Sequence, residues 1–147
     1  MIIKDWWYAI KVCRKYGIKW NPFHTGRYAC FNFSYYILYR KSKCVISINP
    51  FYKKGFLDSF MHEVGHCLRM RREYRKAKNV EEFEDAISDC FYEEYSAWKF
   101  AKRTRKSSFN KKRAVSFFQT YFPVQAKVVG SIVAADQFYK MSRSIEK

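Results

Sequence analysis

His62, Glu63 and His66 form the pattern His-Glu-x-x-His within Met61-His62-Glu63-Val64-Gly65-His66-Cys67. On a helix, residues four apart share one face about one turn apart, so the two imidazoles would aim at a common point. Neutral imidazole is a good donor to zinc. A carboxylate directly after the first ligand can reach water at the metal's open position and serve as general base. The chain has three histidines. Two of them fall at this spacing, with a glutamate in the required slot, which favours Zn2+ as cofactor over a chance meeting of helix residues. Gly65 lowers helix propensity by about 1 kcal/mol relative to alanine, and close packing of another element against this helix would account for it.

Zinc with an open position needs a third protein ligand. The acidic stretch downstream offers Glu81, Glu82, Glu84, Asp85, Asp89, Glu93 and Glu94. Glu94 shares its helical face with Ile87, Cys90, Ala97, Trp98 and Ala101, so it would be buried, and a buried carboxylate must be paired or metal-bound. Glu93 lies on a more mixed face with Asp89, Ser96 and Phe100. Glu94 is the expected ligand, with Glu93 in reserve. An oxyanion donor is also required. His24 is one candidate, and the twelve tyrosines leave that choice open.

The elements that must position these residues follow from periodicity. Helices are expected over Asp5 to Tyr16, with Gly17 as the stop, over Phe56 to Arg72, and as one long helix over Glu81 to Lys102. Tyr28 to Tyr39 and Cys44 to Asn49 read as strands of an antiparallel hairpin joined by a polar turn over Arg40 to Lys43. Lys102 to Arg113 reads as a basic linker. Ala114 to Phe122 reads as a short helix, and Pro123 opens a last helix through Met141. The fold class is therefore α+β, mostly helical, with a short antiparallel sheet before the His-Glu-x-x-His helix.

At 147 residues the chain suits a single domain: residues 1–50 a helix and hairpin, 56–102 the metal-site helices, 103–147 the basic linker and C-terminal helices. No apolar run approaches the roughly 20 residues of a membrane span. Lys4, Asp5 and Lys11 interrupt the place of a signal-peptide core. Five scattered cysteines, an odd number with no CxxC pair, read as reduced thiols in a cytoplasm.

The net charge of +16 is unevenly spread, with +8 in residues 1–50, −1 in 51–100 and +9 in 101–147. The basic flanks suggest nucleic acid or an acidic protein surface as partner. Lys99 to Arg113 holds eight Lys/Arg residues interleaved with Phe100 and Phe109. Within it Lys102, Arg103, Arg105, Lys106, Lys111, Lys112 and Arg113 are candidates to track a phosphate backbone.

His62-Glu63-x-x-His66 followed by Glu94-x-x-Ala97-x-x-Phe100-Ala101 resembles the gluzincin pattern. More narrowly, it is similar to the ImmA/IrrE-type metallopeptidases of phages, mobile elements and bacteria, over roughly residues 44 to 101. The resemblance implies a small zincin-like domain and a zinc endopeptidase. It implies His62, His66 and Glu94 as ligands, Glu63 as base and a protein substrate such as a DNA-associated or regulatory protein, in the host cytoplasm if the chain is phage-encoded. Trp98 departs from the pattern, where Asn or Asp is usual. The rival reading is a basic nucleic-acid-binding or host-inhibiting protein that keeps zinc only as structure.

Overall fold

The computed structural model describes residues 2–25, 29–36, 41–51 and 55–147. Among the described residues there are seven α-helices and a small sheet: α1 (Ile2–Tyr16), α2 (Phe56–Lys76), α3 (Val80–Ala86), α4 (Cys90–Arg105), α5 (Lys111–Gln119), α6 (Phe122–Val129) and α7 (Ser131–Glu146). The strands are β1 (Lys19–Asn21), β2 (Cys30–Tyr36) and β3 (Lys41–Ser47), in the order β1-β3-β2.

β2 and β3 pair antiparallel, as the alternating aromatic and β-branched residues predict. The sheet is nevertheless mixed, because β1 adds itself parallel to β3 with Trp20 opposite Ile46. Three residues carry too little pattern to read as a strand. Trp20 is held by packing on Phe56 and Phe60 and by its indole N–H donating to the Ile48 carbonyl at 3.0 Å. Lys41 to Lys43 belong to β3 rather than to a turn. Tyr28, residues 37–39 and Arg40, also assigned above, lie outside the described residues.

α2 is the central element. Its first three turns, Phe56 through Cys67, are buried on every side, while its last two turns are basic and more open. A helix buried all round must pair whatever polar groups it carries. Asp58 accepts from Arg105 Nε at 3.1 Å and from the Asn110 backbone N–H at 3.0 Å, tying the start of α2 to the end of α4 and the cap of α5. Asp58→Ala leaves a guanidinium and a backbone donor without their acceptor. It is expected to cost about 3 kcal/mol, read as a lower midpoint in urea unfolding. A midpoint equal to wild type would show that the anchor contributes nothing. Arg71 donates to the Tyr16 and Gly17 carbonyls and so fastens α1 to α2.

Several boundaries differ from the periodic reading. The acidic stretch is two helices, not one. Asp89 breaks it by turning its carboxylate onto the Tyr92 backbone N–H at 3.0 Å, an N-cap that starts α4 afresh. The basic linker is mostly helical. α4 runs to Arg105, a 3-10 turn covers Lys106–Ser108, and Asn110 caps α5 through the Arg113 N–H. Pro123 does open a helix, but Gly130, at φ +86°, splits the last segment into α6 and α7.

The reading of five reduced cysteines is corrected for one pair. Cys44 of β3 and Cys67 of α2 are joined in a disulfide, with Cα atoms 6.1 Å apart. No local spacing advertises this bond, because packing of the sheet on α2 brings the two together across 23 positions. Cys13, Cys30 and Cys90 are free thiols. Burial pushes the Cys13 thiol up to about 11, as befits a small apolar core residue. Among the described residues no helix is long and apolar enough to cross a membrane.

Candidate metal centre

His62, His66 and Glu94 form a buried cluster able to hold a metal ion. The two Nε2 atoms lie 3.0 Å apart. Glu94 places Oε2 3.1 Å from His62 Nε2 and Oε1 3.1 Å from His66 Nε2. The i, i+4 spacing on α2 supplies the two imidazoles, and α4 brings the carboxylate across. All three residues are less than 10% exposed.

Electrostatics follow from this convergence. Burial raises the Glu94 carboxyl, but hydrogen bonds from His62 and His66, with their charges, overcome it and hold the group well below the ordinary range. For His66, burial lowers the pKa, and the Glu94 hydrogen bond and charge more than reverse that. Both groups are thus tuned by the same contact.

What makes α4 lie so close is Gly65. A Cβ there would sit 2.9 Å from the Ala97 Cα and 3.1 Å from its carbonyl oxygen. The glycine between the two histidines is the point where the helices touch, which the sequence reading anticipated as close packing.

Aromatic faces hold the imidazoles. Phe31 of β2 stacks on the His66 ring at 5.0 Å and 8°. Trp98 of α4 packs on the His62 ring at 4.0 Å, and Phe117 of α5 stacks behind Trp98 at 6.2 Å. Trp98 holds the ring by contact and not by a hydrogen bond: among the described residues, His62 Nδ1, His66 Nδ1 and Trp98 Nε1 are buried without a hydrogen-bond partner. Sequence periodicity gave no warning of Phe31, whose place depends on the sheet.

The donor set fits a zinc-sized cation. Zinc–nitrogen bonds of about 2.0–2.1 Å put tetrahedral donors about 3.3 Å apart, close to the spacing found. Two imidazoles and a carboxylate also suit other first-row metals, so the geometry supports a metal without fixing which. The chain matches no family model, and no curated protein or solved structure matches it. The site therefore speaks through its own geometry.

Glu63 lines a cavity of about 380 Å³ together with His62, Glu94, Trp98, Phe117 and Tyr121. Tyr121 was not separable from the other tyrosines by sequence. Its phenol is held well above the usual range by burial, then by the charge of Glu94 and a hydrogen bond to it. Glu93, the reserve ligand, turns away from the cluster and binds the Arg69 guanidinium. Burial raises the Glu93 carboxyl, and Arg69 opposes the rise. His24 does not line the cavity; its Nε2 lies 3.9 Å from the Cys30 sulfur.

The basic candidates divide. Lys102, Arg103, Lys106 and Lys111 line a second, open groove of about 960 Å³ between α2 and α4. Arg105 is taken by Asp58, Arg113 lies over the Phe117 ring at 5.4 Å, and Lys112 does not line the groove. The groove also recruits Arg69, Arg72 and Arg75 from α2, which the run of basic residues on α4 could not reveal.

Proposed function

We propose that this chain is a zinc-dependent endopeptidase that hydrolyses peptide bonds in a specific protein. One observation carries the reading. The buried cluster has three donors among the described residues, one fewer than a closed structural zinc site, and Glu63 lines the same cavity as two of them. A metal kept only for structure has no use for a carboxylate at that position.

His62, His66 and Glu94 would hold the ion. Zinc there supplies Lewis acidity toward a carbonyl oxygen and makes water a better nucleophile near neutral pH. Glu63 accepts the proton of the attacking water and returns it to the leaving amine nitrogen. Tyr121, on the wall of the same cavity, donates its phenol O–H to the developing oxyanion. Trp98 and Phe117 wall the cavity with apolar surface and keep bulk water from the reacting groups.

The test is N-terminal profiling of a mixed proteome incubated with the zinc-loaded chain, its Glu63→Gln variant and a Tyr121→Phe variant. New termini are expected with wild type, none with Glu63→Gln, and a rate lower by about 10²-fold with Tyr121→Phe. Both variants should keep their zinc. Termini that persist undiminished in Glu63→Gln would remove the base from the mechanism. A zinc-loaded chain that cuts nothing would end the peptidase reading.

A further inference from the structure

The groove between α2 and α4 and the metal cavity share no lining residue. On α4, Tyr92, Ser96, Lys99 and Arg103 recur at intervals of four, three and four, a single helical stripe, and Lys106 of the following 3-10 turn extends the wall. On α2, Leu68, Arg72 and Arg75 form the facing stripe. The α4 stripe spans about 17 Å at 1.5 Å per residue. Eight Lys/Arg side chains line the groove and no carboxylate does, among the described residues.

Internal partners answer only part of that charge. Arg69 is neutralised by Glu93 and Glu73, and Arg72 shares Glu73 through its Nε at 3.0 Å. Lys99 and Lys102 find only neutral oxygens, the Ser144 hydroxyl and carbonyl. Burial first, then the charges of Lys99 and Lys111, lower the affinity of Lys102 for its proton. Such crowding is relieved by an anion.

Aromatic rings are interleaved with the cations. Arg69 lies over Tyr92 at 4.5 Å, Lys99 over Tyr95 at 5.7 Å and Arg103 over Phe100 at 5.6 Å. All three rings line the groove, and Tyr92 is 44% exposed. An acidic peptide would use the charges but not the rings. A duplex would present phosphates while hiding its base faces. Unpaired bases can stack on both aromatic and guanidinium planes while the phosphates meet the outer cations.

We propose that the α2–α4 groove binds single-stranded nucleic acid, with bases on its aromatic floor and phosphates on Arg72, Arg75, Arg103 and Lys106. The site is independent of the peptidase reading, since it uses neither the metal ligands nor Glu63.

The experiment is fluorescence anisotropy of the full chain with a labelled oligothymidylate of about twelve nucleotides, titrated across salt concentrations. Arg72→Glu with Arg103→Glu reverses one exposed cation on each wall. Lys11→Glu with Lys127→Glu makes the same change in net charge on exposed positions outside the groove. The groove pair should weaken binding by about tenfold or more and flatten the log–log salt slope by about 1.4, two phosphate contacts' worth. The control pair should stay within about threefold of wild type. Circular dichroism checks that both pairs are folded. Equal losses in the two pairs would reduce the effect to diffuse charge and overturn the proposal. So would a duplex of the same length binding as tightly, or polyglutamate displacing the oligonucleotide as well as unlabelled oligothymidylate does.

Discussion

Purified without a histidine tag, the chain is expected to carry about one zinc per molecule, and His66→Ala and Glu94→Gln are expected to carry none. Removing either donor leaves two, too few to compete with water and buffer for the ion. Glu63→Gln should keep the metal, because Glu63 lines the cavity without belonging to the donor triangle. Elemental analysis of the four proteins reads this directly and identifies the metal at the same time. Stability supplies a second readout. An ion present at a hundred times its dissociation constant adds about 2.7 kcal/mol to the folded state. Chelator should therefore lower the melting temperature of wild type and Glu63→Gln, and leave that of His66→Ala unchanged. Stoichiometric iron in place of zinc would redirect the chemistry. A folded wild type with no metal would sink the site altogether.

Gly65→Ala is expected to damage the protein even though it touches no ligand. Alanine is the better helix former by about 1 kcal/mol, so on an open helix the change would stabilise. Here the new methyl would meet the Ala97 backbone at 2.9 and 3.1 Å and the Phe100 Cβ at 3.2 Å. Backbone cannot swing aside as a long side chain can, so α4 must shift away. Overpacking of this kind costs about 1–3 kcal/mol. Set against the gain in propensity, the net loss should be about 1 kcal/mol, or about 3 °C in Tm. The same shift draws Glu94 from the imidazoles, so zinc affinity should fall although His62, His66, Glu63 and Glu94 are all present. A Gly65→Ala protein that melts at or above wild type and binds zinc equally well would show that the helices have room to spare.

How much of this was legible beforehand depended on the range of each signal. The cluster of His62, His66 and Glu94 could be read because each part is local: a spacing of four on one helix, and a lone acid amid an apolar stripe on another. Glu93 and Glu94 are adjacent, yet the helical rotation between them was enough to send one to Arg69 and the other to the histidines. Capping is local too, but it competes with other readings of the same side chains: Asp89 stands in an acidic run and Asn110 in a basic stretch, yet each begins a helix by accepting a backbone N–H. Contacts set by tertiary packing lay beyond reach. Phe31 on His66, β1 beside β3, and Cys44 against Cys67 unite segments whose sequences carry no mutual mark. The basic run on α4 was visible, whereas its facing wall on α2 was hidden in a helix read for its histidines.

The Cys44–Cys67 bond has a kinetic side. Both sulfurs are sealed in the core, Cys44 at 1% exposure and Cys67 at 0%. Reduction requires a thiolate to approach one sulfur along the line of the bond, and no such approach exists while α2 rests on β3. A reductant must therefore wait for the two to part, so the lifetime of the crosslink is governed by how often the core opens rather than by how much reductant surrounds it. Cys67 directly follows His66, so the opening that exposes the sulfur also loosens a metal donor. Loss of the crosslink and loss of an ion held by His66 would thus pass through one gate, and whatever keeps α2 seated guards both.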